Sequence, residues 1–389
     1  MITSHRCTYA DWALCLSRVL GTTISKQAVF YRLNSSFVLT LEKLVTTVIG
    51  QQTSKGIKHK VFAGFKNVLI QDSTCVHMPQ IMIEKFKGSV VNGKQNSVAK
   101  LNVIVNALSG LCPRMEWTSY TVTEQYLSSS IMAVAKAGDL VIRDLGYFVL
   151  DVFKKMDEED IFFLSKWKYG VVIFDIKTKK RIDLLKKLKG KKHMDIEVLC
   201  GASEMLKVRM VAYKLSDTQT AEKIRKAKHD RNRRTNHKED FYFLLGYVIF
   251  ITNVDSDTWT WKEVTEAYRV RWNVEILFKS WKGGLGIKKM VPDAKLHTDG
   301  VESVLYLMML YIAWFQLFVY APLYWFCYEK GIYLSVIKVA KWMSDNIMRC
   351  INIPITSIIK KEIAYYCCYE TRLRINTSQH LELFLEDLT

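Results

Sequence analysis

The sequence predicts an α/β protein in which a mixed-sheet core is interrupted by a β-rich basic insertion. A helical N-terminal domain precedes this core, and a helical C-terminal region follows it. Short apolar runs bounded by polar or turn residues, which are typical of buried strands, recur between about residues 66 and 164 and resume at 247. Helical segments alternate with these runs, as in mixed α/β sheets. Alternating segments and two dense cation runs, at 177–192 and 223–238, separate the two groups of strands and predict the insertion.

The chain of 389 residues is long enough for two to four structural units. We predict an N-terminal helical domain and a core that is divided by the insertion. The predicted boundaries are 1–65 for the helical domain, 66–164 for the first part of the core, 165–245 for the basic insertion, 246–330 for the second part of the core, and 331–389 for the helical C-terminal region.

The N-terminal residues have the pattern of a helix-turn-helix DNA-binding unit. An amphipathic helix is predicted at Tyr9–Leu20 and ends at Gly21, and Ser25 is placed to cap a second helix that runs to Leu33. A short turn followed by a helix rich in Lys, Gln and Arg is typical of DNA readers, although similar helical pairs also occur in bundles that bind nothing. The predicted DNA contacts are Ser25, Lys26, Gln27, Tyr31 and Arg32.

Two predicted strands lead into aspartates. Asn67–Gln71 is followed by Asp72, and the apolar run that begins at Leu140 is followed by Asp144. Catalytic groups commonly lie where buried strands end. A hairpin is predicted from Leu101–Leu111, which runs into a Ser109-Gly110 turn, and its partner Arg114–Ser119. A helical stretch at 124–137, a helix at 151–159 and strands at 161–165 and 247–253 complete the core.

A later segment, Trp261–Lys282, contains neither Gly nor Pro and predicts one continuous helix. At about 100° per residue, its spacing Y-x2-R-x3-E-x6-K returns Tyr268, Arg271, Glu275 and Lys282 to one arc of about 60°. An amphipathic helix with a solvated charged face is the simpler interpretation of such a pattern. The two aspartates elsewhere in the chain favour a metal site beside phosphates instead.

Composition favours a polyanionic partner. Lys and Arg outnumber Asp and Glu 56 to 38, for a net charge of +18. The nine cysteines lack the spacing of a zinc site or a disulfide framework, which predicts a reducing cytoplasm, and no secretion signal is recognised. The uncharged segment Ser303–Tyr328 is long enough for a membrane anchor, but Gln316 and a predicted break at Pro322 favour a buried core helix.

The three acids and the neighbouring cations suit phosphodiester chemistry. Asp72, Asp144 and Glu275 together have the carboxylate oxygens that two Mg²⁺ or Mn²⁺ ions prefer. Such an ion pair activates an attacking oxygen and stabilises a leaving oxygen. A nucleotide-binding P-loop is absent from the sequence, which argues against ATP-driven enzymes of that class.

From about residue 1 to 330, the chain resembles the DDE transposases of bacterial insertion sequences, specifically the insertion-sequence-four group with its Tyr-Arg-Glu-Lys signature. The resemblance rests on Asp72-Ser-Thr, on Asp144-Leu-Gly-Tyr-Phe, and above all on the segment from Tyr268 to Lys282. One departure is Ser165-Lys166, where relatives often have Arg; Lys keeps the charge but loses the two-pronged phosphate geometry.

The resemblance implies an RNase H-like core and a two-metal DNA transposase. Asp72, Asp144 and Glu275 are the implied ligands of two Mg²⁺ or Mn²⁺ ions, and Tyr268, Arg271 and Lys282 the implied contacts to phosphates. The implied partners are the terminal inverted repeats and target DNA, bound by a homodimer in the bacterial cytoplasm at the nucleoid. The implied reaction is cleavage at the element ends and joining of the 3′ ends to target DNA. Candidates for stacking an extruded base are Trp259, Trp261 and Trp272.

A catalytically silent DNA-binding protein derived from a transposase is the alternative. Intact acids argue against it, and inverted repeats directly outside the coding region would favour the active enzyme.

Overall fold

The computed structural model describes residues 8–50, 60–229, 239–291, 296–347 and 357–369. The second cation run at 223–238 therefore lies outside the described residues from 230 onward. Clustering of contacts divides the chain into two compact units, which comprise residues 1–58, 72–123 and 272–389 (the first unit) and residues 59–71 and 124–271 (the second unit).

Ten strands are found in the described residues: β1 Val68–His77, β2 Lys87–Val91, β3 Lys94–Asn106, β4 Arg114–Ser119, β5 Leu140–Arg143, β6 Phe162–Lys166, β7 Ile173–Phe174, β8 His193–Cys200, β9 Leu206–Lys214 and β10 Tyr247–Thr252. In the second unit, the first four residues of β1 begin a sheet with the strand order β1-β5-β6-β10-β9-β8-β7. The pairs β1–β5 and β5–β6 are parallel, and every later pair is antiparallel. The predicted mixed sheet is confirmed.

The first unit contains the predicted hairpin. β3 pairs with β4 in antiparallel register from Ala99 opposite Ser119 to Ile104 opposite Arg114, and β2 lies antiparallel to the beginning of β3. β3 also neighbours β1. The Ser109-Gly110 turn suits the connection because Gly110 has a φ of +70°, which glycine adopts without strain.

The α-helices of the described residues are α1 Tyr9–Leu20, α2 Lys26–Arg32, α3 Ser35–Gly50, α4 Leu150–Glu158, α5 Leu184–Leu188, α6 Asp217–Lys228, α7 Glu239–Leu244, α8 Trp261–Arg269, α9 Trp272–Lys279, α10 Ile287–Met290, α11 Thr298–Trp314, α12 Ala321–Tyr328, α13 Val336–Asp345 and α14 Ser357–Tyr366. The predicted N-terminal helices are confirmed. Gly21 ends α1 in the left-handed conformation, and Ser25 caps α2 by accepting the Ala28 N–H at 3.1 Å.

The helical stretch predicted at 124–137 is a 3-10 helix over Tyr126–Ala133. Serines in its middle satisfy other polar groups: Ser128 donates to the Tyr147 carbonyl at 2.9 Å, and Ser130 donates to the Leu127 carbonyl at 2.8 Å. Such side-chain bonds compete with the α-helical backbone pattern.

One helical segment of the described residues, Thr298–Tyr328, is long and apolar enough to cross a membrane by length and composition. The segment has 31 residues; its most apolar 18-residue window has a mean hydropathy of 1.8, and 67% of that window is buried inside the protein. This burial fits the predicted core helix. The predicted break at Pro322 is wrong. The helical segment continues through a π-helical stretch at Phe315–Tyr320 into α12, and Pro322 lies in the first turn of α12, where the missing N–H of proline is tolerated.

Candidate active site

The parallel pairing of β1 with β5 places the two predicted aspartates one residue beyond matched positions. Gln71 is the register partner of Arg143, and the next residues along the chain are Asp72 and Asp144. β5 ends at Arg143, as predicted, whereas β1 continues to His77, so the prediction that the first strand ends at the acid is wrong. Both carboxylates are partly exposed.

The residues that precede the two aspartates, Gln71 and Arg143, belong to a buried polar network. Arg143 is fully buried and donates through Nη1 to the Ser128 hydroxyl at 2.7 Å and through Nη2 to Gln71 Oε1 at 2.5 Å. Nη2 also donates to the Ser128 carbonyl, and Nη1 to the Tyr147 carbonyl at 3.3 Å. Burial lowers the pKa of Arg143 to about 9, and Tyr147 partly offsets this.

Two residues of the Tyr-Arg-Glu-Lys signature surround the end of β5. Arg271 Nε lies 3.7 Å from Oδ1 of Asp144, and the Arg271 side chain is 10% exposed. Tyr268 is buried and donates its hydroxyl to the Arg143 carbonyl at 3.3 Å. The Lys166 ammonium lies 5.2 Å from the centroid of the Tyr268 ring. The end of β5 therefore has the cations Arg271 and Lys166 nearby, and its last carbonyl accepts a hydrogen bond from the Tyr268 hydroxyl.

The prediction of one continuous helix over Trp261–Lys282 is wrong. α8 ends at Arg269, and α9 begins at Trp272. At the junction, the N–H groups of Val270 and Arg271 donate to carbonyls only three residues back, at 3.2 Å each. This tighter turn changes the angular spacing of the signature, so the arc calculated for a regular helix does not apply across Arg271.

Glu275 and Lys282 lie in the first unit. Glu275 is partly exposed in the first turn of α9, and Lys282 lies in a π-helical segment, Ser280–Gly284. Burial lowers the pKa of Lys282, and the nearby Lys288 lowers it further. π-helical segments are frequent at functional sites.

The described residues contain no group of three His, Cys, Asp or Glu side chains arranged to hold a metal ion. Asp72 and Glu275 belong to the first unit and Asp144 to the second. The predicted three-acid cage is thus not assembled within either unit, and it stays a prediction.

The N-terminal pair of helices exposes the predicted DNA contacts. Val29 of α2 and Ala13 of α1 pack in one small apolar cluster with Leu33. This packing leaves Lys26 and Gln27 exposed to solvent, together with Ser25, Tyr31 and Arg32. The surface is compatible with a DNA reader, and its function stays a prediction.

The three tryptophan candidates have different environments. Trp259 is 1% exposed and donates its indole N–H to the Val61 carbonyl at 2.7 Å. It is a core residue, so its predicted role in base stacking is wrong. Trp261 stacks on His193 with ring centroids 5.0 Å apart, and Trp272 is 52% exposed.

Sequence reasoning missed Arg143 and Gln71. Both lie inside apolar runs, and a polar residue that interrupts a buried strand is the signal that identifies them. Nor was a strand predicted specifically at 193–200, although this stretch forms β8.

The comparisons with known proteins identify the family. The family model described as "Transposase DDE domain" matches residues 63–291, which is more than half of the chain and includes Asp72, Asp144 and Glu275. The chain therefore belongs to this family, and its assignment to the DDE transposases of insertion sequences is confirmed.

Two relatives are transposases of named insertion sequences. The chain is 24% identical over 289 residues to the transposase for insertion sequence element IS231E of Bacillus thuringiensis subsp. finitimus, covering 69% of this chain and 60% of that protein. It is 25% identical over 290 residues to the transposase for IS1151 of Clostridium perfringens, covering 68% and 60%, respectively. The matches thus span about three fifths of the relatives' length. A piggyBac transposase synaptic complex with hairpin DNA is similar in structure, with a TM-score of 0.46 and 11% identity over 97% of this chain and 75% of that one.

Proposed function

We propose that this protein is the transposase of a bacterial insertion sequence, which binds terminal inverted repeats, cleaves the DNA at the element ends and joins the 3′ ends to target DNA. The observation that carries the proposal is that one family match, over residues 63–291, contains all three acids and the whole Tyr-Arg-Glu-Lys signature. The named relatives are transposases of insertion sequences, which agrees with this activity. A net charge of +18 suits a DNA substrate.

The core that carries this chemistry is proposed to be RNase H-like. In support, β1, β5 and β6 are consecutive parallel neighbours in the sheet of the second unit, and the two aspartates follow matched positions on β1 and β5. Between Asp144 and Glu275, the chain forms β7, β8 and β9, in agreement with a β-rich insertion. The predicted five-part division of the chain is part of this proposal.

Asp72, Asp144 and Glu275 are proposed to bind two Mg²⁺ or Mn²⁺ ions. Their chemistry fits, because hard divalent cations prefer carboxylate oxygens and the three side chains are partly exposed. The Asp144 side chain is 44% exposed and lies beside the Arg271 guanidinium. When bound, two such ions activate the attacking oxygen and stabilise the leaving oxygen of the phosphodiester.

The protein's cations are proposed to hold the DNA backbone during these steps. Arg271 can pair with two phosphate oxygens, while Lys282 acts as a point charge. Tyr268 is also proposed to contact these phosphates, and its hydroxyl donates to the Arg143 carbonyl at the end of β5. The exposed residues of α2, notably Lys26, Gln27 and Arg32, are proposed to bind the terminal repeats. A homodimer acting at the nucleoid, in the cytoplasm, completes the proposal.

The test is cleavage of a plasmid that carries the coding region with its natural flanking DNA. With Mg²⁺, we expect the purified protein to nick this plasmid at the element ends. Asp72→Ala, Asp144→Ala and Glu275→Gln should each abolish nicking while binding of the flanking DNA persists. Glu158→Gln removes an exposed carboxylate from α4 and serves as the matched control, with unchanged nicking expected.

Nicking that persists in any of the three acid variants would refute the assigned site. Binding of the flanking DNA without nicking by the wild-type protein would instead favour the catalytically silent DNA-binding protein.

A further inference from the structure

Arg143 is a buried cation that has only neutral hydrogen-bond partners among the described residues. Its side chain is completely inaccessible to solvent, and its acceptors are the Gln71 amide, the Ser128 hydroxyl and two backbone carbonyls. Its Nε has no hydrogen-bond partner in the described part of the chain. Burying a charge without an opposite charge is costly. A residue chosen only to fill this space would be apolar, so the guanidinium requires another explanation.

The position of Arg143 supplies that explanation. Arg143 is the last residue of β5 and the register partner of Gln71 on β1, and its Nη2 holds the Gln71 side chain at 2.5 Å. The guanidinium thus links the two strands at the last matched pair before Asp72 and Asp144.

The remaining contacts fix both members of this pair. Gln71 donates to the Leu127 carbonyl and to the Ser130 hydroxyl, each at 2.9 Å. The carbonyl of Arg143 accepts the Tyr268 hydroxyl. The residue before each aspartate is therefore fixed by hydrogen bonds: Gln71 through its side chain, and Arg143 through its side chain and its carbonyl. These bonds restrict the direction of the carboxylate that follows.

We propose that Arg143, acting with Gln71, is a positioning residue that fixes the end of β5 and thereby orients the Asp144 carboxylate for binding a divalent metal ion. The inference rests on the proposed function and extends it from the metal ligands to the residues that orient them. Residues behind metal ligands typically contribute 10- to 100-fold to metal affinity or activity. Arg143 contacts neither metal nor DNA in this role.

The test compares Arg143→Lys and Gln71→Met with the matched control Arg209→Lys. Lys keeps the charge at 143 but loses the fork that reaches Gln71 and Ser128 together, and Met keeps the length at 71 but loses the acceptor. Arg209 is also buried in the second unit, where it pairs with Asp195 at 2.5 Å and donates to the Trp259 carbonyl at 2.7 Å. Each of the three variants disrupts the hydrogen bonds of a buried arginine, but only Arg143→Lys and Gln71→Met lie next to residues that precede Asp72 and Asp144.

Four quantities are measured on the full-length protein: the melting temperature, the affinity for Mn²⁺ by electron paramagnetic resonance without DNA, nicking of the flank-bearing plasmid as a function of Mn²⁺, and binding of that plasmid. We expect Arg143→Lys and Gln71→Met to weaken Mn²⁺ binding by about tenfold and to need about tenfold more Mn²⁺ for nicking. Plasmid binding should be unchanged. Arg209→Lys should lower the melting temperature and leave both Mn²⁺ dependences at the wild-type values.

The outcomes separate this inference from the proposed function. If both variants melt earlier but bind Mn²⁺ as the wild type does, Arg143 is a purely structural residue and the inference is wrong, while the transposase proposal stands. If the wild-type protein and Asp144→Ala show the same Mn²⁺ binding and neither nicks the plasmid, the proposed function itself fails.

Discussion

Arg271 Nε lies 3.7 Å from Oδ1 of Asp144, so the guanidinium predicted to hold a phosphate borders a carboxylate predicted to hold a metal ion. The Arg271 side chain is 10% exposed and that of Asp144 44%, so solvent screens the pair in part. Before DNA binds, Arg271 stabilises the negative charge of Asp144. A bound phosphate would compete for the same guanidinium.

This relationship predicts opposite effects of Arg271→Ala on the two ligands. Without DNA, Mn²⁺ binding should strengthen by about 1.4- to fivefold, because a partly exposed pair of this kind contributes about 0.2–1 kcal/mol. DNA binding should weaken, with the slope of log affinity against log salt reduced by about 1. Mn²⁺ titration and filter binding at several salt concentrations measure both effects.

Arg269→Ala is the control for this prediction, because Arg269 pairs with Glu266 at 3.1 Å on the preceding turn. It should leave Mn²⁺ binding unchanged. A loss of Mn²⁺ affinity in Arg271→Ala would contradict the idea that the guanidinium competes with the metal.

The N-terminal helices make a second prediction, for DNA binding alone. Lys26→Gln combined with Arg32→Gln removes two exposed cations from α2 and should reduce the salt slope of DNA binding by about 1.8, since each phosphate contact contributes about 0.9. Lys43→Gln on α3 removes another exposed charge in the same unit and should have no effect on the slope. Equal slopes for the double variant and the wild type would show that α2 does not contact phosphates.

The packing of α13 on the π-helical segment makes a third prediction. A Cβ at Gly284 would lie 2.5 Å from the Ala340 Cβ and 3.2 Å from the Lys341 nitrogen, whereas a Cβ at Gly283 would meet nothing within 4 Å. Gly284→Ala should therefore destabilise the protein by about 1–3 kcal/mol, as over-packing does, and displace Lys282 in the same segment. Gly283→Ala should be nearly neutral. Urea denaturation measures the difference, and equal midpoints for the two variants would contradict the close packing.

Local signals allowed parts of the fold to be predicted. The bounds of α1, the Ser25 cap and the β3–β4 hairpin were predicted correctly because each depends on residues close together in sequence. The strand before Asp144 was predicted from its apolar run for the same reason.

Contacts between distant residues account for what the sequence could not predict. Gln71 and Arg143 are 72 positions apart, so nothing near either one indicates that their side chains meet. The break between α8 and α9 has no Gly or Pro to signal it, and it coincides with the approach of Arg271 to Asp144. Tertiary contacts of this kind override local helix propensity.

Trp259, which precedes the signature, and Trp272, which lies within it, make the last prediction, because their different burial assigns them opposite roles. Trp259 donates its indole N–H to the Val61 carbonyl and packs on Phe65 with ring centroids 5.0 Å apart. Trp259→Ala should cost about 3–5 kcal/mol of stability through the cavity and the lost hydrogen bond. Trp272 is 52% exposed, so Trp272→Ala should lower the stability by less than about 1 kcal/mol. It should lower plasmid nicking only if the indole contacts an unstacked base. Thermal melting and 2-aminopurine fluorescence in the flanking DNA report the two effects separately. A melting temperature that falls as far in Trp272→Ala as in Trp259→Ala would contradict the assigned environments, and an unchanged fluorescence would remove Trp272 as the stacking residue.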